Sequence, residues 1–306
     1  MLRIWNIFVR ILTKKGYVRL KVLDIVAQYL TDRVYLKMKF PLCVGYKLNL
    51  ESPKTYNEKL QWLKLYNRIP EYTKMVDKYD VKHYVAGVIG NEYIIPTLGV
   101  YNSVDEINID SLPRQFVLKC THDSGGVVIC KDKTNFDVEK ARNILRKGIK
   151  RNYYIYNREY PYKNVVPRII AEEYKEDGTG ELRDYKFFCF DGEVKALFIA
   201  SDRSKKEEET KFDFFDADFN HLPFTNGHPN AKSLPFKPEG FKEMKKLASQ
   251  LSKGIPHVRV DFYDINGKVY FGEMTFFHWS GMKPFDPVEW DYTFGSWIKL
   301  PIMKHI

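Results

Sequence analysis

The spacing of hydrophobic residues changes along the chain near residue 94. Before that point apolar residues recur every three or four positions, which predicts helices over residues 1–36, 57–66 and 73–88. Beyond it, short apolar or alternating runs predict strands at residues 94–100, 116–120, 127–130, 169–174, 184–190 and 194–200, with helices at 137–158 and 238–251. Residues 201–237 show no such period and are predicted to form a charged loop. The pattern predicts an α+β protein with a helical N-terminal part.

The clearest pattern lies near the C-terminus, between His257 and Thr275. β-branched and aromatic residues recur on both sides of Asn266-Gly267, which predicts a β-hairpin. Arg259 and Asp261 are two positions apart, so their side chains share one face of the first strand. The hairpin therefore carries an arginine and a carboxylate close together.

The geometry of the hairpin decides whether a second carboxylate joins them. Glu273 and Thr275 share a face of the second strand. A two-residue turn would send Glu273 to the face opposite Asp261, whereas a three-residue loop over residues 265–267, or a bulge in a strand, would bring both acids to one face. In the three-residue arrangement Arg259 pairs with Glu273, and the glycine of the loop takes a positive φ.

Two carboxylates beside an arginine suit a magnesium ion that carries phosphate. Mg²⁺ prefers oxygen ligands and takes one or two carboxylates together with substrate phosphates. Arginine offers a planar pair of donors to a phosphate or to a developing oxyanion. The alternative is an exposed hairpin whose acids face water, and the spacing alone leaves both interpretations open.

Composition narrows the class of partner. The 306 residues carry a net charge of +10 and are 15% aromatic, which favours a folded protein that binds anions such as nucleotides, acidic polymers or a membrane surface. Nucleic acid is not expected as a partner, because the chain has no recognised binding module or Arg/Gly-rich segment. The four cysteines have no metal-ligand spacing and the seven histidines form no HExxH motif, so we expect reduced thiols and no zinc.

No apolar run reaches the roughly 20 residues that a membrane span needs. Residues 2–12 are apolar, with basic residues within and after the run. They would form either an interfacial amphipathic helix or a core helix, the second slightly favoured. A signal peptide is not expected, because basic residues interrupt the run and no small-residue cleavage site follows. We therefore expect a cytoplasmic protein, with a possible contact to the inner face of the membrane through residues 1–15.

A lysine and a glycine-containing loop follow the strand predicted at residues 116–120. Lys119 stands just before the loop at residues 121–126, and the backbone N–H groups of Ser124, Gly125 and Gly126 could fold over a triphosphate. The chain contains no GxxxxGK[ST] motif, so this is not a Walker loop. A plain hairpin turn explains the glycines equally well, and the adjacent lysine favours the phosphate interpretation.

A rival metal site is the DxD triplet Asp216-Ala-Asp218, a motif with which many glycosyltransferases hold a metal and a nucleotide sugar. The triplet is short and common by chance, and it lies in a stretch rich in Phe and Asn. It keeps a glycosyltransferase as the alternative function.

The order of these motifs resembles that of the ATP-grasp ligases. Asp77-Lys78 and Lys82 come first, followed by Lys119 with its Ser-Gly-Gly loop, Glu172-Glu173-Tyr174, Arg259 with Asp261, Glu273, and Ser280-Gly281-Met282. Residues 55–66 and 184–190 are similar, more narrowly, to the TupA-like branch, which is named for teichuronopeptide biosynthesis. The resemblance covers roughly residues 50–300.

The resemblance implies a role for each matching residue. Lys82 and Lys119 would contact ATP phosphates under the closing loop of Ser124, Gly125 and Gly126, while Glu172, Glu173 and Tyr174 would contact adenine, and Asp184 and Lys186 would complete the cofactor site. Asp261, Glu273 and Thr275 would hold Mg²⁺, and Arg259 and Lys119 would be catalytic, with Arg259 on the acyl-phosphate. Thr275 departs from the family's pattern, because many ATP-grasp enzymes have asparagine there; a hydroxyl is a poorer Mg²⁺ ligand than an amide carbonyl, so the resemblance supports a second metal site less well.

The resemblance thus implies an ATP-grasp fold in which two α+β subdomains grip ATP. We expect a helical region at residues 1–70, a small subdomain at 71–175 and a catalytic subdomain at 176–306. The enzyme would use ATP and Mg²⁺ to join a carboxylate to an amine through an acyl-phosphate, on an amino acid or a uronic acid of a capsular or cell-wall polysaccharide. Its partners would be the small-molecule or glycan substrates that carry these groups.

Overall fold

A computed structural model describes residues 18–178, 182–202 and 209–302. The predicted membrane contact through residues 1–15 lies outside these ranges. Residues 18–26 are helical, and four helices follow: α1 (Asp32–Val44), α2 (Tyr56–Tyr66), α3 (Tyr72–Val76) and α4 (Val81–Ile89). Within the described ranges no helix is long and apolar enough to cross a membrane.

Three of the predicted helices are interrupted, and the one expected over residues 137–158 forms two helices, Val138–Ile149 and Tyr153–Asn157. The helix expected over residues 1–36 ends in a 3-10 turn at Ala27–Tyr29, and α1 begins afresh after Thr31, whose backbone is extended. The helix expected over residues 73–88 is divided at Asp77, whose carboxylate accepts the N–H groups of Tyr79 at 2.9 Å and Asp80 at 2.8 Å. Such local side-chain bonds compete with the helical hydrogen bonds, and periodicity does not register them.

Helix α2 begins where its sequence predicts. The Thr55 hydroxyl accepts the backbone N–H of Glu58 at 3.1 Å, and the Glu58 carboxylate accepts the N–H of Thr55 at 3.2 Å. This reciprocal capping satisfies two donors that a helix start otherwise leaves free.

A four-stranded antiparallel sheet forms the first half of the α+β part. Its strands are β1 (Thr97–Tyr101), β2 (Phe116–Cys120), β3 (Val127–Cys130) and β4 (Ile169–Glu173), in the spatial order β1-β4-β2-β3. Helix α5 (Val138–Ile149) packs on β2 and β3, and the short α6 (Tyr153–Asn157) follows it. Alternate residues of β2 face this helix, so Lys119 projects from the opposite face.

A six-stranded antiparallel sheet forms the second half. It consists of β5 (Asp184–Phe190), β6 (Glu193–Ser201), β7 (Lys211–Asp216), β8 (His221–Leu222), β9 (Val258–Ile265) and β10 (Lys268–Thr275), in the order β10-β9-β5-β6-β7-β8. Strands β7 and β8 lie in the stretch that was predicted to be a loop. Both faces of β7 are buried, and a strand buried on both sides shows no alternation of apolar and polar residues.

Two helices complete this half, and each half has a core of its own. Helix α7 (Phe241–Leu251) packs against β5, β6 and β9, and α8 (Glu289–Trp297) packs against α2. Phenylalanines such as Phe187, Phe198 and Phe262 fill the larger core, while Phe116 and Leu145 belong to the smaller one. The domain boundaries at residues 70 and 175 stay a prediction.

Candidate active site

The hairpin of β9 and β10 has a two-residue turn. Ile265 pairs with Lys268, and the turn residues Asn266 and Gly267 have φ of 54° and 81°. The three-residue loop at residues 265–267 is therefore wrong, while the positive φ of Gly267 is confirmed. Asparagine and glycine tolerate this left-handed conformation better than other residues.

A bulge at Gly272 brings the two acids together despite the short turn. Phe262 pairs with Phe271, but Asp261 pairs with Glu273, so Gly272 has no partner of its own. A Cβ atom at Gly272 would lie 3.1 Å from the backbone oxygen of Asp261, which favours glycine at this position. The extra residue restores both carboxylates to one face.

Arg259 sits between these acids. It pairs with Thr275 rather than with Glu273 across the hairpin. Its Nε and Nη2 donate to the two oxygens of Asp261 at 2.7 and 2.8 Å. Nη2 also donates to Glu273 Oε1 at 3.1 Å and to Thr275 Oγ1 at 3.0 Å. Burial disfavours the charge of Arg259, but Asp261 and Glu273 outweigh it and raise the pKa of the guanidinium.

The same row of side chains continues onto β5. Lys186 is the cross-strand neighbour of Asp261, and its Nζ lies 2.5 Å from Asp261 Oδ2 and 3.6 Å from Asp184 Oδ1. The structure thus brings together five residues that the sequence assigned to the cofactor and metal sites: Asp184, Lys186, Asp261, Glu273 and Thr275.

Glu273 is the open member of the cluster, with 40% of its side-chain surface exposed. Desolvation raises the pKa of its carboxyl, but Lys186, Lys78 and Arg259 outweigh that effect and lower the pKa to about 2. An ionised, accessible carboxylate suits a hard cation. Asp261 is buried, and both of its oxygens are already bound by Arg259 and Lys186.

The chemistry of these donors fits a magnesium ion that is shared with a nucleotide. No group of three or more His, Cys, Asp or Glu side chains in the described part of the chain could hold a metal by itself. Mg²⁺ commonly binds one or two carboxylates and takes its other ligands from phosphates and water. Glu273 would be its accessible protein ligand, beside Asp261.

A second charged cluster lies on the four-stranded sheet. Glu172 on β4 accepts Lys82 at 2.5 Å and Lys119 at 2.7 Å. Burial favours the neutral acid, but the two ammonium groups outweigh it and lower the pKa of Glu172. Lys82 also donates to Thr97 Oγ1 at 2.8 Å and to the Ile95 carbonyl at 2.7 Å. Two predicted phosphate contacts thus share one counter-ion.

The glycine-containing loop follows β2 and is anchored from two sides. Lys78 donates to the carbonyl of Asp123 at 2.8 Å, and Arg151 donates to the Asp123 carboxylate at 2.9 Å. Ser124 and Gly125 are exposed, whereas Gly126, the third residue of the predicted phosphate loop, is buried. Lys78 also lowers the pKa of Glu273, so its charge connects this loop with the hairpin cluster.

The three residues assigned to adenine differ in how their side chains are used. The side chain of Glu172 is committed to the lysines, so a contact with adenine would come from its backbone or from its neighbours. Glu173 pairs with Lys175 at 2.8 Å, and its N–H donates to the Pro96 carbonyl at 3.1 Å. Tyr174 lies just beyond the end of β4.

The DxD triplet closes a turn. Asp216 Oδ1 accepts the backbone N–H groups of Asp218 at 2.9 Å and Asn220 at 2.8 Å, and Oδ2 accepts the Asn220 side chain at 2.9 Å. Asp218 is exposed and pairs loosely with Lys245 at 3.5 Å. The turn between β7 and β8 therefore accounts for the triplet without a metal.

Three buried polar residues near the hairpin escaped the sequence analysis. His278 Nδ1 accepts the Nη1–H of Arg259 at 2.9 Å. Lys64, on α2, is fully buried, and desolvation lowers its pKa to about 7, which Glu159 opposes. Glu159 is 2% exposed, its Oε1 has no hydrogen-bond partner, and desolvation raises its pKa to about 7. Lysine and glutamate are rarely buried in proteins, and no local motif marks the burial of Lys64 or Glu159.

Sequence comparison identifies the family. The model of the TupA-like ATPgrasp family matches residues 58–299, and no curated protein matches the chain. This match covers most of the chain, and it includes both charged clusters and the glycine-containing loop. It confirms the assignment to ATP-grasp ligases that the ordered motifs implied.

Solved structures with a similar arrangement are distant. D-alanine–D-alanine ligase from Bacillus anthracis, complexed with ATP, is 14% identical with a TM-score of 0.40, over 66% of this chain and 55% of that one. The enzyme from Helicobacter pylori is 16% identical with a TM-score of 0.40, over 79% and 69%. The ATP-grasp ligase PsnB with minimal precursor, Mg and ADP is 14% identical with a TM-score of 0.38, over 71% and 56%.

The chain thus spans little more than half the length of the Bacillus anthracis ligase. The family therefore rests on the match over residues 58–299 and not on these distant structures. The chain belongs to the TupA-like ATP-grasp family.

Proposed function

We propose that the chain is an ATP-dependent ligase that joins a carboxylate to an amine through an acyl-phosphate. The observation that carries the proposal is the bulge at Gly272, which sets Asp261 opposite Glu273 beside Arg259. A strand irregularity that gathers two acids and an arginine on one face is typical of functional sites. Membership of the ATP-grasp family supports ATP as the co-substrate.

The two clusters would bind different parts of MgATP, one the phosphates and the other the metal ion. Lys82 and Lys119 would bind ATP phosphates, since a lysine contributes a compact positive charge. Glu273, beside Asp261, would hold Mg²⁺, which neutralises charge on the transferring phosphoryl group when bound. Ser124, Gly125 and Gly126 would close over the phosphates with backbone N–H groups.

Arg259 would stabilise charge during acyl transfer. Its fork is fixed by Asp261 and held near Thr275 and His278, so the group needs little reorganisation when negative charge develops. A lysine at this position would keep the charge but lose the paired geometry.

The substrate class remains part of the proposal. The resemblance to the TupA-like branch, named for teichuronopeptide biosynthesis, and the net charge of +10 support an acidic substrate such as an amino acid or a uronic acid of a capsular or cell-wall polysaccharide. We place the reaction in the cytoplasm, where ATP is available, and a contact of residues 1–15 with the inner membrane face belongs to the same proposal. The four cysteines, all unpaired, are compatible with a reducing compartment.

The proposal is tested with purified protein, MgATP and a panel of amino acids and uronic acids offered in pairs. We expect release of ADP and phosphate that requires both a carboxylate and an amine, with an amide product seen by mass spectrometry. Glu273→Gln should abolish the release, because the open metal ligand loses its charge. ATP consumption that transfers a phosphoryl group to a hydroxyl, with no amide formed, would contradict the proposed reaction.

A further inference from the structure

Helix α2 carries a buried polar stripe. Asn57, Gln61 and Lys64 are spaced four and three positions apart, so they lie on one face of the helix. Their exposed fractions are 2%, 0% and 0%. Burying an amide or an ammonium group is costly unless it is hydrogen-bonded, so the partners of this stripe are informative.

All three side chains bind the segment that follows β10. Asn57 donates to the carbonyl of Lys283 at 2.9 Å, and Gln61 donates to the carbonyl of Gly281 at 2.8 Å. Lys64 donates to the carbonyl and the hydroxyl of Ser280, both at 2.7 Å, and to Gln61 Oε1 at 3.0 Å. These three acceptors match the three N–H donors of an ammonium group.

The segment held by the stripe has an unfavourable backbone. Trp279, Ser280 and Gly281 have φ of 49°, 58° and 58°. Non-glycine residues adopt this left-handed region at a cost, and they persist there where their surroundings impose it. A Cβ atom at Gly281 would lie 2.5 Å from Gln61 Nε2, so the turn fits closely against α2.

The same segment reaches the arginine of the hairpin. His278 Nδ1 accepts from Arg259 Nη1 at 2.9 Å, so its proton is on Nε2, which donates to Asn226 Oδ1 at 3.0 Å. Burial and the charge of Arg259 lower the pKa of His278, so the imidazole remains a neutral acceptor. A chain of direct contacts thus leads from Lys64 through the turn to the guanidinium.

We propose that Lys64 and Gln61 are positioning residues that impose the conformation of residues 278–281 and thereby orient Arg259 for acyl transfer. The kinetic part of this inference rests on the proposed function. The structural part does not, because it concerns contacts within the free protein. Both side chains bind the turn rather than Arg259 itself, so both would act through the turn.

The variants Lys64→Met and Gln61→Met remove the donors while keeping similar side-chain length. Lys59→Met is the matched control, because Lys59 on the same helix donates to the carbonyls of Gly295 and Ile298, each at 2.7 Å, and not to the turn. If Lys64→Met does not fold, Gln61→Met tests the same positioning role. Circular dichroism and thermal unfolding identify the folded variants.

The first measurement is a kinetic double-mutant cycle. We expect Lys64→Met to lower kcat by about 10- to 100-fold, because small misplacements of a reacting group have effects of that size. The dissociation constant for MgATP should stay within about twofold. Adding Lys64→Met to Arg259→Lys should lower kcat little further, since both changes act through one guanidinium. Multiplicative losses, or an equal loss in Lys59→Met, would overturn the inference.

The second measurement needs no substrate. In ¹⁵N spectra, with His278 assigned through His278→Gln, the wild-type imidazole should be neutral with its proton on Nε2. Lys64→Met should shift these signals, and Lys59→Met should not. Unchanged His278 signals in Lys64→Met would refute the positioning role. If the signals shift but no amide is formed, the proposed function fails while the positioning of the turn stands.

Discussion

The two charged clusters of the molecule have opposite balances of charge. On the four-stranded sheet one acid, Glu172, lies between two lysines, Lys82 and Lys119. On the six-stranded sheet three acids, Asp184, Asp261 and Glu273, surround two cations, Arg259 and Lys186. The first cluster has a surplus of positive charge and the second a surplus of negative charge. These balances are complementary to a metal–nucleotide complex, in which anionic phosphates would suit the positive cluster and the divalent cation the negative one.

The difference lies in how each cluster could receive its ligand. Glu172 is buried and pairs with both lysines, so a phosphate that bound here would meet ammonium groups already held in place. In the hairpin cluster Asp261 plays the corresponding part by holding Arg259 and Lys186, while Glu273 stays accessible. In each sheet one buried acid thus holds two cationic side chains in place. These side chains would lose little conformational entropy if a ligand bound them.

The comparison predicts the largest effect for the buried acid of the hairpin. Asp261→Asn should abolish turnover and lower the free energy of unfolding by about 3 to 5 kcal/mol, because it leaves buried cations without their counter-charge. Urea unfolding and ADP release measure the two effects. Asp264→Asn is the control on the same strand, since Asp264 accepts the backbone N–H groups of Gly240 and Gly267 and lies outside the charged cluster. A fully active Asp261→Asn enzyme at limiting magnesium would rule out the site.

Substitutions in the cluster of Lys82, Lys119 and Glu172 should change the affinity for MgATP more than the stability of the fold. Lys119→Met should weaken MgATP binding by about 10- to 100-fold, the range expected from losing a charge-assisted hydrogen bond. The fold should survive, because Lys82 still compensates Glu172. Calorimetric titration with MgATP checks this, with the exposed Lys140→Met as the control. Unchanged affinity in Lys119→Met would separate the cluster from phosphate binding.

Glu159 is a buried acid that lies outside both clusters, and its raised pKa should make stability depend on pH. The pKa of Glu159 is raised to about 7, above the value of about 4.3 in an unfolded chain. Between these values the folded chain binds the extra proton, so this group makes the free energy of unfolding fall as pH rises. Lys64, whose pKa is lowered to about 7, acts in the opposite direction above that pH.

Glu159→Gln should therefore remove a fall of about 2 kcal/mol between about pH 5 and about pH 7, since one pKa unit corresponds to about 1.4 kcal/mol. Urea unfolding across this range measures the slope. Glu193→Gln alters an exposed acid and should leave the slope as it is. An unchanged slope in Glu159→Gln would mean that the carboxyl is ionised throughout.

The smallest effect is expected for the DxD triplet. The double variant Asp216→Ala, Asp218→Ala should keep its turnover and lose about 1 kcal/mol of stability, because only the hydrogen bonds of one turn are removed. ADP release and thermal unfolding check both quantities. Loss of turnover in a folded double variant would revive the glycosyltransferase hypothesis.

Much of the candidate site could be predicted from local spacing. Arg259 and Asp261 share a face because strand residues alternate, and Asn266-Gly267 marked the turn. The spacing also predicted helix α2 to within one residue of its start, while its capping box of Thr55 and Glu58 was seen only in the structure. Strand β7 was missed because both of its faces are buried, so it lacks the alternation on which the prediction depends, and β8 has only two residues.

The sequence by itself determined the ordered motifs, the position of the hairpin turn at Asn266-Gly267 and the family. Only the tertiary structure decided that a bulge at Gly272 unites Asp261 with Glu273, and that Lys64 and Glu159 are buried. The reason is physical: periodicity and turn preferences act between residues close in the chain. A bulge is fixed by pairing between strands, and the burial of a charge is decided by partners such as Ser280, 216 positions further along.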